Sequence, residues 1–348
     1  METMTLLAPA TGSSGYRALT DQVREAGLLE PRVGREMTRI VFTTCAFAGG
    51  WVALLVVHGT WAALATAAYL GVASTQVVFI GHDAGHRQIF ASRQANRAVG
   101  LVVGNLLTGL SFGWWVPKHA AHHGHPNQVG RDPDIAPGVI AFVPETAVTN
   151  SRGRRAFLRW QGALLFPLMS LEGVSMRIAS GQSIRRRRDG SRLIEALLIV
   201  AHFAAYLALV FVALPPLRAL AFIAVQQAVL GLYLGCSFAP NHVGMPTLEQ
   251  GAVTTFAYRQ VVTARNIRGG AFISFLFGGL DLQIEHHLFP TIPRCNLRQV
   301  QPLVREFCAR EGLPYTEEGL VESYANLVRY VWAIGRGRPA AAAVAPQN

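Results

Sequence analysis

The chain has 348 residues, of which 51% are hydrophobic and only 15% charged, with a mean hydropathy of +0.29 and a formal net charge of +11. The hydrophobic residues come in long blocks, which argues against an ordinary soluble domain, where apolar residues are spread along the chain. The four cysteines are scattered and form no CxxC pair, so neither a disulfide framework nor a thiolate metal site is indicated, and a reduced compartment fits.

Five blocks contain no Asp, Glu, Lys or Arg, and each is near or above the roughly 18–20 residues that a helix needs to cross a bilayer. These blocks are 40–57, 59–81, 98–117, 196–217 and 219–240. We predict an all-α integral membrane protein with four transmembrane helices in two hairpins, about 40–80 and about 194–240. Interfacial or re-entrant helices and a cytoplasmic, histidine-rich cap complete the predicted fold. Pro215 and Pro216 mark the turn of the second hairpin, where a helix must break.

The basic residues predict the orientation of these helices. Of the 31 Lys and Arg residues, only Arg218 falls within the two hairpins and their outer turns. The positive-inside rule therefore places both termini and the histidine-rich cap in the cytoplasm. The same rule explains the net charge, so we expect no nucleic-acid partner.

Two further segments allow more than one interpretation. The block 98–117 is long enough to be a fifth span, which would leave His82 and His86 on the opposite side of the membrane from the next histidines. Its four glycines and the pair Trp114–Trp115 favour a re-entrant or interfacial segment instead. Residues 156–180 have the pattern of a helix in the headgroup plane, and Arg185–Arg188 form either a contact for anionic lipid or a solvated loop.

Eight of the eleven histidines form three clusters and one outlier, and each cluster comes just after an apolar segment. The clusters are HDAGH at 82–86, HAAHH at 119–123 and QIEHH at 283–287, and the outlier is His242 after Asn241. Histidines at positions i and i+4, or i and i+3 with i+4, stand on one face of a helix. Eight convergent imidazoles are too many for one ion and suit two, and imidazole is a ligand for Fe, Zn, Cu or Ni.

The ordered set of clusters resembles the three histidine boxes HxxxH, HxxHH and QxxHH of the membrane fatty acid desaturases, over about 40–290. Residues 123–134 also resemble the stretch after the second box in bacterial acyl-lipid and acyl-CoA members. The resemblance implies a ligand role, residue by residue, for His82, His86, His119, His122, His123, His286 and His287, and also for His242. It makes Asn241 the counterpart of an asparagine that can hold a water at the metal.

Four polar residues beside the clusters are candidates for orienting the ligands by hydrogen bonds to their rings. They are Asp83, Gln283, Glu285 and Asp134, of which Gln283 stands where many relatives have a histidine. Each carboxylate has the alternative of being an ordinary surface residue. We expect His58, His125 and His202 not to be ligands, because they lie in an outer turn, two residues past a box and within a span.

The resemblance implies an enzyme, a fatty acyl desaturase that uses two iron ions, dioxygen and electrons from an external donor. It also implies a membrane domain over 39–292 between cytoplasmic segments 1–38 and 293–348, and the bacterial inner membrane as location. The alternatives are a related di-iron hydroxylase, acetylenase or carotenoid oxygenase and, in another class, a membrane metal transporter or sensor. The expected substrate is an acyl-CoA, an acyl-carrier protein or a membrane lipid. The expected donor is a ferredoxin or b-type cytochrome with its NAD(P)H reductase.

The ends, 1–30 and 340–348, are predicted to be poorly ordered.

Overall fold

The computed structural model describes residues 13–338, and this part of the chain is mostly helical. The helices are α1 (Ser13–Glu25), α2 (Val33–Val56), α3 (Ala63–Gly85), α4 (Arg93–Gly100), α5 (Phe112–Gly124), α6 (Pro144–Ala147), α7 (Arg152–Met169), α8 (Glu172–Arg186), α9 (Arg192–Ala213), α10 (Pro216–His242), α11 (Phe256–Val262), α12 (Ala271–Leu276), α13 (Gln283–Leu288), α14 (Leu297–Arg310) and α15 (Leu320–Gly335). A π-helical segment, Leu101–Leu107, continues α4, and a 3-10 turn, Arg294–Asn296, precedes α14. Strands β1 (Asn266–Arg268) and β2 (Glu317–Gly319) pair in parallel.

Four helices are long and apolar enough to cross a membrane, namely α2, α3, α9 and α10, and counting each of two bent helix pairs as one span would give six. The four predicted spans are therefore confirmed as helices. The turns also lie where they were predicted, because α2 ends at Val56, α9 ends at Ala213 and α10 starts at Pro216. The helices extend beyond the uncharged blocks, and the acidic residues in these extensions, Glu36, Asp83 and Glu195, are buried and paired with arginines.

The described chain divides into two compact units. The first comprises 13–30, 120–163 and 239–338, and the second comprises 31–119 and 164–238. The predicted boundaries at 38/39 and 292/293 concern the side of the membrane, and they stay a prediction.

In the second unit, α3 is the most enclosed span. Two thirds of its apolar window (67%) is buried, against 22% for α2 and for α9. Helix α2 packs against α3 at Gly50, where an added Cβ would lie 2.7 Å from the Leu70 side chain. The other face of α2 exposes large apolar residues, including Phe42 and Val56, which are 70% and 74% exposed. Such a surface is unfavourable in water and suits lipid.

Polar side chains also join the spans of this unit. Gln226 on α10 donates to Ser74 Oγ on α3 (3.3 Å) and accepts from the Tyr206 hydroxyl on α9 (3.3 Å). Gln76 on α3 donates to the hydroxyl of Tyr233 on α10 (2.7 Å). Such bonds between membrane helices contribute on average about 0.6 kcal/mol each, so they fix the register of the helices more than they stabilise the fold.

The block 98–117 is broken rather than straight. The axis turns by 115° between the stretch Arg93–Leu107 and α5. Glu195, 1% exposed near the start of α9, holds the break by accepting hydrogen bonds from Ser111 Oγ (2.7 Å) and the Gly113 amide (3.0 Å). Arg187 pairs with the same carboxylate at 2.9 Å. A single straight fifth span is therefore wrong for this block.

The first unit has a hydrophobic core of its own. Leu19 and Val23 of α1 are fully buried in it, together with Val261, Ile284 and Val304 of later elements. The hydroxyl of Tyr16 donates to the carbonyl of Leu288 at the end of α13 (2.7 Å). The prediction that 1–30 is poorly ordered is therefore wrong for 13–30, whereas 1–12 and 339–348 lie outside the described residues.

Candidate metal centre

Three of the predicted ligands meet in the second unit. His82 lies in the last turn of α3 and His86 follows its end, so their four-residue spacing places both rings on one side. His119 comes from α5. The ring centroids lie 4.7 Å apart for His82 and His86, 5.1 Å for His82 and His119, and 4.8 Å for His86 and His119. One ligand atom from each ring lies within 4.8 Å of the others, a spacing that allows one ion to be shared.

Neighbouring side chains orient this cluster. The Asp83 carboxylate lies 3.1 Å from His82 Nδ1 and also accepts from Arg39 of α2 (2.6 Å), which in turn pairs with Glu36. A carboxylate on Nδ1 fixes the tautomer that presents Nε2 to a metal. Trp115 stacks on the His119 ring with 4.4 Å between centroids and 21° between planes.

The first unit contains a second cluster, formed by His122, His242 and His287. Their ring centroids lie 4.7 Å apart for His122 and His242, 5.1 Å for His122 and His287, and 4.7 Å for His242 and His287. Two more predicted ligands adjoin it, because His123 stacks on His287 at 4.2 Å and lies 4.8 Å from His286. Four of these five residues are buried, and His242 is intermediate in exposure.

Each ring of the second cluster has an acceptor on Nδ1. His122 faces Asp132 at 3.0 Å and Asp134 at 3.4 Å. His242 faces the Thr263 carbonyl at 2.9 Å. His287 faces the side-chain oxygen of Gln260 at 2.8 Å, and the amide of the same glutamine donates to the His123 carbonyl. All three rings are thereby set to offer Nε2.

Asp132 and Gln260 were missed in the sequence analysis. Asp132 has a fully buried side chain and accepts from the amides of Asn127 (2.7 Å) and Asp134 (2.9 Å) as well as from His122. The Asp-Pro-Asp stretch ten residues after His122 was a signal for it. Gln260 lies on α11, far from every box in the sequence, and no local pattern marks it.

The remaining predicted site residues have specific partners. Asn241 donates to the Leu280 carbonyl (2.9 Å) and to Gln283 Oε1 (3.1 Å), and Gln283 Nε2 lies 2.9 Å from His242 Nε2. Glu285 was predicted to accept from an imidazole. Instead it accepts from the hydroxyl of Tyr315 (2.5 Å) and the amide of Asn266 (2.7 Å). Burial raises the pKa of Glu285 to about 7.

The three histidines set aside in the sequence analysis belong to neither cluster. His58 Nδ1 lies 3.0 Å from the Leu55 carbonyl, in the turn after α2. His125 bonds Gln128 at 3.0 Å, and His202 bonds the Leu106 carbonyl at 2.9 Å.

The donor set fits a transition metal that prefers nitrogen. Clustered imidazoles with carboxylate or carbonyl partners on the far nitrogen suit Fe, Zn, Cu or Ni. They do not suit Mg²⁺ or Ca²⁺, which take oxygen ligands.

Comparison with known proteins decides among families that use such clusters. A sequence model of the family described as fatty acid desaturase matches residues 59–319, which is most of the chain. The chain belongs to the fatty acid desaturase family. All three histidine boxes of this desaturase-family chain lie within the matched residues.

Individual relatives agree with this assignment. The chain is 32% identical to an acyl-lipid (9-3)-desaturase of Physcomitrium patens over 77% of its length and 52% of that protein's. It is 30% identical to a Delta(8)-fatty-acid desaturase of Helianthus annuus, over 87% of this chain and 69% of the relative. It is 34% identical to the Delta(5) fatty acid desaturase fat-4 of Caenorhabditis elegans, over 72% and 59%. The chain thus spans between about half and two thirds of the length of these relatives.

Proposed function

We propose that this chain is a fatty acyl desaturase, which uses dioxygen and two iron ions to introduce a carbon–carbon double bond into an acyl chain. The observation that carries the proposal is the grouping of the box histidines and His242 into two imidazole clusters in a member of the desaturase family. Neither observation would suffice alone, because imidazole clusters also bind other metals and a family contains more than one activity.

We assign the metal ligands to the eight histidines already described. They are His82, His86 and His119 in the second unit and His122, His123, His242, His286 and His287 in the first. Iron bound there supplies the oxidation of the acyl chain by dioxygen. The carboxylates of Asp83, Asp132 and Asp134 act on His82 and His122 by holding each ring in one orientation. The neutral amide side chains of Asn241 and Gln283 lie beside His242 and place polar groups near this ligand.

A small apolar cavity lies beside His82. Besides His82, its lining includes Val78, Phe112, Trp115 and Met176, and its volume is about 30 Å³. A cavity of this size can hold a water molecule but not an acyl chain. An acyl chain therefore requires the lining to move, and the unbranched, flexible side chain of Met176 is the most adaptable part of it.

The positions of the histidines favour an enzyme over a metal transporter. His82 lies in the last turn of α3, and His242 is the last residue of α10. Transport sites are expected near the middle of the bilayer, on broken helices. The related hydroxylase, acetylenase and carotenoid oxygenase activities share the same ligands, and the product distinguishes them.

We further propose that α2–α3 and α9–α10 form two hairpins that enter from the cytoplasm, with the histidines and both termini on that side, in a bacterial inner membrane. The distribution of Lys and Arg supports the orientation, and the likeness of 123–134 to bacterial members supports the source. The interfacial position of 156–180 belongs to the same proposal. The substrate is carried by coenzyme A, an acyl-carrier protein or a lipid, and a ferredoxin or b-type cytochrome with an NAD(P)H reductase supplies electrons.

The test is to express the chain in a host that lacks the product and to analyse its fatty acids by gas chromatography after derivatisation of the double bond. The relatives carry different positions in their names, so the position must be read directly. We expect a new monounsaturation or further unsaturation that depends on oxygen, and about two metal ions per purified chain by elemental analysis. A hydroxylated product in its place would contradict desaturation, and a single metal with oxygen-independent activity would contradict the di-iron assignment.

A further inference from the structure

Asn127 lies in the turn that follows α5, and its backbone has a φ of +51°. This left-handed conformation is uncommon for any residue other than glycine, although asparagine tolerates it better than most. Only 2% of the residue is exposed to solvent. A buried residue in an unfavourable backbone conformation has to be held there by its surroundings, and such residues are frequent at functional sites.

The side-chain amide of Asn127 donates to three main-chain carbonyls of the first unit. The shortest of these hydrogen bonds, 3.0 Å, reaches the carbonyl of His242, and longer ones reach Pro246 (3.3 Å) and Thr263 (3.4 Å). His242 is the last residue of α10, so its carbonyl has no partner within that helix. The Thr263 carbonyl is the group that faces His242 Nδ1 at 2.9 Å. Asn127 therefore holds both the main chain of His242 and the group that orients its ring.

The main chain of Asn127 is connected to a second assigned ligand. Its amide N–H donates to Asp132 Oδ2 (2.7 Å), and the same carboxylate oxygen faces His122 Nδ1 at 3.0 Å. Its carbonyl accepts from the Leu248 amide (2.9 Å), in the segment that follows α10. One residue thus links the support of His122 to the support of His242, and the ring centroids of these two histidines lie 4.7 Å apart.

His122 and His242 come from different helices that are far apart in the sequence, so their mutual arrangement depends on contacts made after folding. We infer that Asn127 is a positioning residue, which sets the distance and orientation of His122 and His242 relative to each other so that both offer Nε2 to one metal ion. The inference rests on the proposed function, because it concerns ligands of the same metal site. A turn that served the fold alone would affect stability without distinguishing between the two histidine clusters.

Asn127→Gly tests the side chain separately from the backbone, because glycine adopts a positive φ without strain and lacks the amide. The substitution is made in two backgrounds of the full chain. His86→Ala disables the cluster of the second unit and leaves the one that contains His122 and His242, whereas His122→Ala does the reverse. The affinity of each purified protein for Co²⁺, a metal that imidazole binds, is measured by competition with a chelator, without substrate or turnover.

Asn296→Gly in the same two backgrounds is the matched control. The side-chain amide of Asn296 is also buried and also donates to a main-chain carbonyl of the first unit, that of Leu28 (2.8 Å). Leu28 is not an assigned ligand, so this variant removes a comparable hydrogen bond without touching the metal site. A thermal melt of every variant measures how much stability each substitution costs.

We expect Asn127→Gly to weaken Co²⁺ binding by about 10–100-fold in the His86→Ala background, as the loss of a ligand-orienting partner typically does, and to leave it unchanged in the His122→Ala background. Asn296→Gly should leave Co²⁺ binding unchanged in both. Unchanged binding after Asn127→Gly, equal weakening in both backgrounds, or the same weakening by Asn296→Gly would each overturn the inference.

The outcome for Asn127 is distinguishable from the outcome for the proposed function. If the His86→Ala chain with Asn127 intact binds no Co²⁺, the assigned metal site itself is contradicted, and the inference falls with it. If that chain binds Co²⁺ and Asn127→Gly changes nothing, only the role of Asn127 is contradicted.

Discussion

A histidine can serve as a ligand only when its ring is held with one nitrogen toward the metal, and the two clusters show how much of the protein is used for this. We expect His122→Ala to reduce product formation to background while the protein remains in the membrane, because one ligand of the second cluster is lost. His58→Ala is the matched control, since His58 is exposed and belongs to neither cluster. Lipid analysis and membrane immunoblots measure both variants, and normal turnover by the His122 variant would contradict the assigned site.

Asp132 is expected to act on the metal through His122. Asp132→Asn replaces one carboxylate oxygen by an NH2 group, which cannot accept, so the hydrogen bond from the backbone amide of either Asn127 or Asp134 is lost. Losing such a ligand-orienting partner typically costs about 10–100-fold in metal affinity or activity. Asp134→Asn should cost less, because the Asp134 side chain is 41% exposed and lies farther from His122. Iron content after dialysis against a chelator measures the difference, and equal losses would contradict the separate roles.

Residue spacing predicted which histidines come together but not the residues that hold their rings. HDAGH and HAAHH are local patterns that α-helical geometry turns into facing rings, so they are readable from sequence. Gln260 and the Thr263 carbonyl reach His287 and His242 only after the chain has folded back on itself, and no local spacing encodes that contact. Glu285 shows the opposite error, because its place beside two histidines suggested a ring partner, whereas the fold turned it toward Tyr315 and Asn266.

At the scale of the elements, one buried cation holds the end of α10. Arg265 is fully buried and donates to the carbonyls of Pro240 (2.6 Å) and Val243 and to the carboxylate of Glu318 (2.7 Å). Burial lowers the pKa of Arg265, and the charge of Glu318 opposes that shift. Carbonyls at the end of a helix have no partner within it, so the guanidinium satisfies them and complements the helix dipole beside His242.

Removing this cation should be costly. We expect Arg265→Met to destabilise the chain by roughly 3–5 kcal/mol, the usual cost of breaking one side of a buried ion pair, and to lower the metal content. Arg268→Met is the control, because its pair with Glu322 is exposed and such pairs contribute only about 0–1 kcal/mol. Thermal melts in detergent compare the two variants. Similar melting temperatures for both would contradict the role of Arg265.

The membrane spans could be predicted from the sequence because the burial of long apolar segments in lipid determines where these helices form. The bend after Leu107 was only half predicted. Glycines and the Trp pair suggested that 98–117 is not a simple span, but Glu195, from a helix about ninety residues later, holds the break. The two helix-forming stretches and the distant carboxylate determine the bend together. The local sequence shows only the two stretches.

At the scale of the whole molecule, the metal that the protein binds depends on which metal ions are present during production as well as on the ligands. Nitrogen ligands of this kind bind Zn²⁺ more tightly than Fe²⁺. We expect protein overproduced without added iron to contain zinc and to be inactive, and iron added during growth to restore activity in proportion to iron content. Elemental analysis alongside product assays measures this. Full activity of a zinc-loaded preparation would contradict an iron-dependent reaction.

The last prediction concerns the electrons. Desaturation consumes one dioxygen and needs two electrons beyond those from the substrate, and the 348 residues contain no GxGxxG turn, iron–sulfur cysteine set or His-Pro-Gly-Gly segment. We predict that a separate donor docks on this chain. All basic residues but Arg218 fall on the predicted cytoplasmic side, where their excess over acidic residues would attract an acidic protein.

The salt dependence of the reaction rate distinguishes docking of the donor from lipid binding by the same arginines. Between about 0.01 M and 1 M salt the Debye length falls from roughly 30 Å to 3 Å, so steering of the donor is lost. We expect kcat/KM for ferredoxin to fall by roughly tenfold or more, as electrostatically steered association does. The assay uses purified chain, acyl substrate, oxygen, NAD(P)H, ferredoxin and reductase, with a mixture lacking ferredoxin as control. A kcat/KM that does not change with salt would favour lipid binding, and full turnover without any added protein would mean that the chain carries its own redox module.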